Sequence, residues 1–356
     1  MNEIALRRLV NQHIVRPYRP SAVLSRPADV VAHLVAMQAQ EFAMAKWAIG
    51  LRLPTVSETD VDEAFNNGQI LRTHLLRPTW HFVTPSDIGW LLLLTAPRVK
   101  QVNAFMERQC GLDAALFYRT NNLIATALAG SNHLTRNELG LVLRNGHVEA
   151  SGFRLNYIMM RAELDGIICS GPRRGNQFTY ALLDERAPNR RKLDRPEALA
   201  ELTKQYITSR GPATIHDFSG WSGLTVKEAA AGIAMNRAVI KPETIDGHTY
   251  YVRAGESAPT GDVQSTFLMP DYDEYGMGYK NRDAIRHAEL SGSLIHNRLL
   301  VVDGTIAGSW KRTINGSTVK LALRTNRSLT GQQRERVGEA AGQYGRFIGK
   351  TVEMTR

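Results

Sequence analysis

The sequence predicts an α+β protein with three winged-helix-like units in tandem and a smaller β-rich C-terminal part. Three observations carry this. Two capped helices, a third amphipathic helix and a hairpin recur twice in mid-chain. Residues 1–112 follow the same plan more loosely. Beyond residue 262 the apolar period changes from helical to alternating, with turn pairs between the runs. A chain of 356 residues that is 43% hydrophobic and 22% charged has enough apolar surface for a sizeable core, which excludes a disordered chain.

In the first unit, helices are expected near Ile4–Ile14, Ala28–Gln38, Phe42–Leu51 and Glu58–Asn67. Extended segments follow at Gln69–His74 and Leu76–Thr84. Thr84-Pro85-Ser86-Asp87 then opens another helix, with proline in the tolerated first turn and an acid at the positive end. The second unit, residues 113–186, has a helix from Leu116 to Ala129 and a capping box at Thr135-Arg136-Asn137-Glu138. Its third helix has Leu155, Ile158, Met159 and Ala162 inward and Arg154, Tyr157 and Arg161 on the other face. A hairpin tipped by Arg173 and Arg174 completes it. Residues Asp184 to Pro196 are polar and basic with two prolines, which predicts a linker.

The third unit, 195–254, starts with Leu199, Leu202 and Tyr206 on one helix face and continues through Thr214-x-x-Asp217. Its third helix is capped by Thr225-x-x-Glu228, with Val226, Ala229, Ala230 and Ile233 inward. Asp246-Gly247 is the tight turn of its wing. Residues 262–356 read as strands Leu299–Val302, Thr305–Lys311 and Ser317–Leu323, joined at Asp303-Gly304 and Asn315-Gly316, before a last helix from Gly331 to Ile348.

Forty-four Lys and Arg against 34 Asp and Glu leave a charge of +10, a field that draws in polyanions. The longest aliphatic run, Leu91-Leu92-Leu93-Leu94, is far too short to span a bilayer, and no secretory leader is visible, so a cytoplasmic protein with no membrane contact is expected. Cys110 and Cys169 lack metal-ligand spacing and read as free thiols. Asp271, Asp273 and Glu274 form an acidic knot, read as turn caps or partners of nearby Arg and Lys rather than a metal site. Glycine-rich pieces lack the strand-loop-helix setting of a phosphate loop, so no nucleotide cofactor is expected.

Gln38-Ala39-Gln40 is the most unusual element. On the helix expected at Ala28–Gln38, the apolar stripe of Val31, Leu34 and Val35 continues onto Gln38 and turns an amide inward. A buried amide costs about 1–3 kcal/mol unless it is hydrogen-bonded. Gln38 and Gln40 could meet one target only if the helix breaks between them. The plainer alternative is that Gln38 caps a neighbouring backbone and Gln40 is solvated.

Gln38-Ala39-Gln40, with His33 to Met37 before it and Arg77-Pro78-Thr79-Trp80-His81 after it, resembles the AlkZ-type, YcaQ-related, winged-helix DNA glycosylases in their Gln-φ-Gln form. The resemblance extends to Met269–Tyr275 and Asp303–Arg312. It implies three winged helices and a β-barrel-like domain in a C-shaped clasp on duplex DNA. It also implies a monofunctional glycosylase that removes cationic N7-alkylguanine, in some members unhooking interstrand crosslinks.

On that resemblance Gln38 and Gln40 are the catalytic pair, and Arg77, Thr79 and His81 line the DNA side. Arg154, Tyr157, Arg161, Arg173, Arg174, Lys311 and Arg312 are candidate DNA contacts. A solvated basic face, a backbone-satisfied His81, and Lys311 and Arg312 that merely close the barrel are the alternatives. An amide is no base, but an N7-alkylguanine leaves as a neutral base without protonation, so orienting water and offering a dipole suffices. Trp47, Tyr157 and Tyr18 are candidate wedges for exposing the base. The rival function is a non-catalytic DNA-binding protein or transcriptional regulator, with an RNA-binding or scaffold role behind it.

Overall fold

A computed structural model describes residues 2–15, 24–256, 265–285 and 298–355. The wedge candidate Tyr18 lies outside them. The chain begins α1 (Glu3–Asn11), α2 (Pro27–Leu34), β1 (Met37–Gln38), α3 (Phe42–Arg52), α4 (Glu58–Asn66), β2 (Leu71–Leu75) and β3 (Thr79–Val83). It continues α5 (Ile88–Gln109), α6 (Ala114–Leu128), β4 (Leu134–Thr135), α7 (Arg136–Asn145), α8 (Gly152–Leu164), β5 (Ile168–Ser170), β6 (Thr179–Leu182) and α9 (Leu183–Arg186). Next come α10 (Arg195–Arg210), α11 (Ile215–Ser222), α12 (Val226–Met235), β7 (Ile240–Ile245), β8 (His248–Arg253), β9 (Thr266–Leu268) and α13 (Glu274–Met277). The last are β10 (Leu299–Val302), β11 (Thr305–Asn315), β12 (Thr318–Thr325), α14 (Gly331–Phe347) and β13 (Thr351–Thr355). These elements form two compact units. One comprises Met1–Asp62, Leu202–Trp221 and Thr225–Arg356, and the other Glu63–Glu201 with Ser222–Leu224.

In the unit built on residues 63–201, α6, α7 and α8 enclose a core of Phe117, Ile124, Leu139, Leu143, Leu155, Ile158 and Ala162. Sheet β4-β6-β5 closes one side of it. The Thr135 capping box forms as the sequence predicts: the Glu138 amide donates to Thr135 Oγ1 at 3.3 Å and the Thr135 amide donates to Glu138 Oε2 at 2.7 Å. The expected linker is not loose. It begins with α9, and Arg186 donates to the carbonyls of Phe65 and Asn66 while Arg191 donates to Asp87. Basic residues of this segment are spent on tying it down.

In the other unit, the Thr214/Asp217 and Thr225/Glu228 pairs cap α11 and α12 reciprocally. The inward face expected of α12 is corrected. Ala229 and Gly232 are buried, whereas Val226 and Ala230 are exposed. The stripe is rotated because a glycine, carrying no side chain, lies directly against Thr203. Strands β7 and β8 pair antiparallel across Asp246-Gly247, whose φ values of 49° and 75° suit the two-residue turn.

The C-terminal sheet is curled and has the order β13-β12-β11-β10-β9, antiparallel except for the parallel β12/β13 edge. Helix α14 packs on it through Tyr344, whose ring lies 5.2 Å from Trp310 and 5.0 Å from Trp47. Trp47 is fully buried and its indole N–H donates to the Leu268 carbonyl at 2.7 Å, so it is a core residue and no wedge.

Candidate functional site

The Gln38 segment departs from the helix expected for it. Helix α2 ends at Leu34, and Gln38 lies on β1, so it continues no helical stripe. Val35 takes φ 57° and ψ −40°, and the Ala36 amide donates to the Leu34 carbonyl at 2.7 Å, a γ-turn that is rare and strained. The break thus falls before Gln38 and not between the glutamines. Both then belong to the connection into α3, which removes the helical geometry that would splay positions two apart. Gln38 is buried at 7% exposure while Gln40 is exposed.

Charged groups from far along the chain hold this connection. Arg210, wholly buried, donates through Nη1 to the Leu34 carbonyl and through Nη2 to the Ala36 carbonyl, both at 2.9 Å. Its Nε and Nη2 also donate to Glu274 Oε2, at 3.1 and 2.8 Å. The Trp221 indole N–H donates to the same oxygen at 2.9 Å, and the Gln38 amide donates to Glu274 Oε1 at 2.9 Å. Alongside, Arg52 makes a two-pronged contact with Asp273 at 2.8 and 2.9 Å and donates to Gln12 Oε1. Gln12 donates in turn to Tyr279, whose hydroxyl donates to the Arg210 carbonyl. Burial pushes the Tyr279 phenol up to about 12, so it remains a neutral donor.

The acidic knot is thereby explained: Asp273 and Glu274 neutralise buried arginines, and Asp271 pairs with Arg298 at 2.8 Å. Among the described residues no three His, Cys, Asp or Glu converge as for a metal ion. Burial also drives the His33 imidazole down to about 4, aided by neighbouring His13, Arg210 and Arg52, while its Nε2 lies 2.7 Å from the Asn11 carbonyl. Sequence reasoning missed Arg210 and Trp221. The one available signal was an arginine and a tryptophan set among the apolar positions of α10 and α11.

The other candidates lie on other elements. Thr79 and His81 sit on β3 in the second unit, opposite Leu75 and Thr73 of β2, and Arg77 lies in the turn between the strands. His81 is fully buried, its Nδ1 2.9 Å from the Thr79 carbonyl. Arg154 donates to the carbonyls of Glu149 and Cys110. Arg161 pairs with Asp165 at 3.0 Å and lies over Phe117, and Tyr157 packs on the helical core. Arg173 donates to the Asn176 carbonyl, and exposed Arg174 reaches Glu138 and the His133 carbonyl. On β11, Lys311 is exposed, whereas Arg312 is held by the Tyr344 hydroxyl. The cysteines are free, and burial pushes the Cys169 thiol up to about 12, leaving it inert.

The profile of the AlkZ-like DNA glycosylases matches residues 31–347. The chain belongs to that family. An interstrand DNA cross-link repair glycosylase of Streptomyces sahachiroi is 24% identical over 335 residues, 85% of each chain. The solved structure of Streptomyces sahachiroi DNA glycosylase AlkZ superposes with a TM-score of 0.79 at 20% identity, covering 99% of both chains. The mixed α+β fold is therefore that of an AlkZ-like glycosylase, and the protein is a DNA glycosylase. No helix among the described residues is long and apolar enough to cross a membrane.

Proposed function

We propose that this AlkZ-like protein hydrolyses the N-glycosidic bond of cationic N7-alkylguanine in duplex DNA in the cytoplasm, with Gln38 and Gln40 as the pair of amides that orients the water. The observation that carries this reading is the state of the carboxylate adjoining Gln38. Glu274 takes the Gln38 main-chain N–H on one oxygen and Arg210 and Trp221 on the other, so it is committed to structure. What the motif offers chemistry is two amides. An amide can hold a water and direct a dipole at the developing sugar cation, but it neither deprotonates the water fully nor protonates a base.

The substrate must supply the rest. In N7-alkylguanine the electron pair of the breaking C1′–N9 bond neutralises a positive ring, the water oxygen bonds to C1′, and its proton leaves to solvent. Neutral bases lack that advantage, so narrow specificity for cationic adducts follows. Winged helices at 1–112, 113–186 and 195–254 would carry the DNA, with Arg77, Thr79, Lys311 and Arg174 among the contacts. The cross-link repair role of the Streptomyces sahachiroi relative supports bulky and cross-linked guanines as substrates too.

The test is a duplex carrying one N7-methylguanine, with strand scission after alkali reporting the abasic site. Wild type is expected to release the base without cleaving the strand itself, and Gln38→Ala to lose on the order of a hundredfold in single-turnover rate. Wild type that binds the duplex yet releases no base from methylated or cross-linked DNA would overturn N7-alkylguanine as the substrate.

A further inference from the structure

We propose that Arg210 and Glu274 act together as a positioning clamp that sets the Gln38 main chain for its role, through the γ-turn at Val35. This rests on the catalytic reading of Gln38. Three observations support it. First, one side-chain pair grips alternate residues of a single short segment: the carbonyls of Leu34 and Ala36 and the amide of Gln38. Those contacts span 176, 174 and 236 positions of sequence, so the segment takes its shape from outside itself.

Second, Val35 is β-branched and sits at φ 57°, a conformation that persists only where the surroundings over-determine it. Strain of this kind concentrates where a side chain must be aimed. Third, a buried ion pair is a poor way to gain stability, since well-packed apolar residues of the same volume serve as well or better. Here the pair is wholly buried, stacked under Trp221 with the guanidinium 4.4 Å from the ring, and directed at the backbone of the candidate motif. Both oxygens of Glu274 accept hydrogen bonds from the protein, so Glu274 is a positioning residue and not a base.

Val35→Gly, Trp221→Phe and Glu274→Gln in the full chain would be assayed for single-turnover excision of N7-methylguanine at saturating enzyme, and for binding to lesion-free duplex. Misplacement of a reacting group by an ångström costs up to about a hundredfold, so a tenfold or larger fall in excision is expected for each, with DNA affinity within about twofold. Val35→Gly is the most telling variant. Glycine tolerates the positive φ but gives up the buried Val35 side chain, so a modest drop in melting temperature is expected while excision falls tenfold or more with DNA affinity kept. Each variant should add little to the loss already caused by Gln38→Ala, because the clamp acts only through that residue.

Full excision by Val35→Gly and Trp221→Phe, or losses that simply add to that of Gln38→Ala, would overturn the clamp. If Glu274→Gln does not fold, those two variants decide. Full activity of Gln38→Ala would instead remove the catalytic reading on which the clamp rests. Loss in Gln38→Ala with none in the other variants removes the clamp alone.

Discussion

At the scale of single residues, the unit carrying Gln38 is unusual in how much charge it buries. Arg8, Arg52 and Arg210 are each at most 1% exposed, facing Asp217, Asp273 and Glu274. Removing one member of such a pair strands the other without water. Asp273→Ala should therefore cost about 3–5 kcal/mol, whereas Arg52→Met with Asp273→Leu should recover most of that loss; denaturant unfolding of both variants checks it. The same burial explains what the sequence could and could not disclose. Val35 looks like the next rung of a helical stripe because it is indeed buried, at 1% exposure. Its burial is reached in a γ-turn shaped by an arginine 175 positions away, and no local pattern encodes that.

At the scale of elements, local chemistry was legible where it is self-contained. The Thr135 and Thr225 caps each satisfy amides within three residues, so sequence alone places those helix starts. Thr225→Ala should lower stability by about 1 kcal/mol, read from a thermal melt. Strands β9 and β13 were not legible, because three residues, or five on a mostly exposed parallel edge, show no alternation of their own. Helix α2 gives the fold a pH dependence. Its His33 binds protons more weakly folded than unfolded, so the unfolded chain takes up the proton first. Stability from this group is full above about pH 6.5, the unfolded value, and is lost as pH falls toward about 4. A melting-temperature series over that window should fall with pH in wild type and be flatter in His33→Asn.

At the scale of the whole chain, the charge of +10 makes affinity for DNA a function of salt. Binding constants should fall linearly on a log–log plot, and Lys311→Ala should reduce the slope by about one if Lys311 meets a phosphate. Cross-linking of fold and chain order has a further effect. The unit with Gln38 draws on Met1–Asp62 and on Thr225–Arg356, with the second unit's residues translated in between. The residues expected to meet the lesion leave the ribosome early, while Glu274, which fastens them, emerges more than two hundred residues later. If the clamp acts as proposed, a chain terminated before Glu274 would carry the Gln-Ala-Gln motif without the contact that fixes the Gln38 main chain, and excision would have to wait for that late segment.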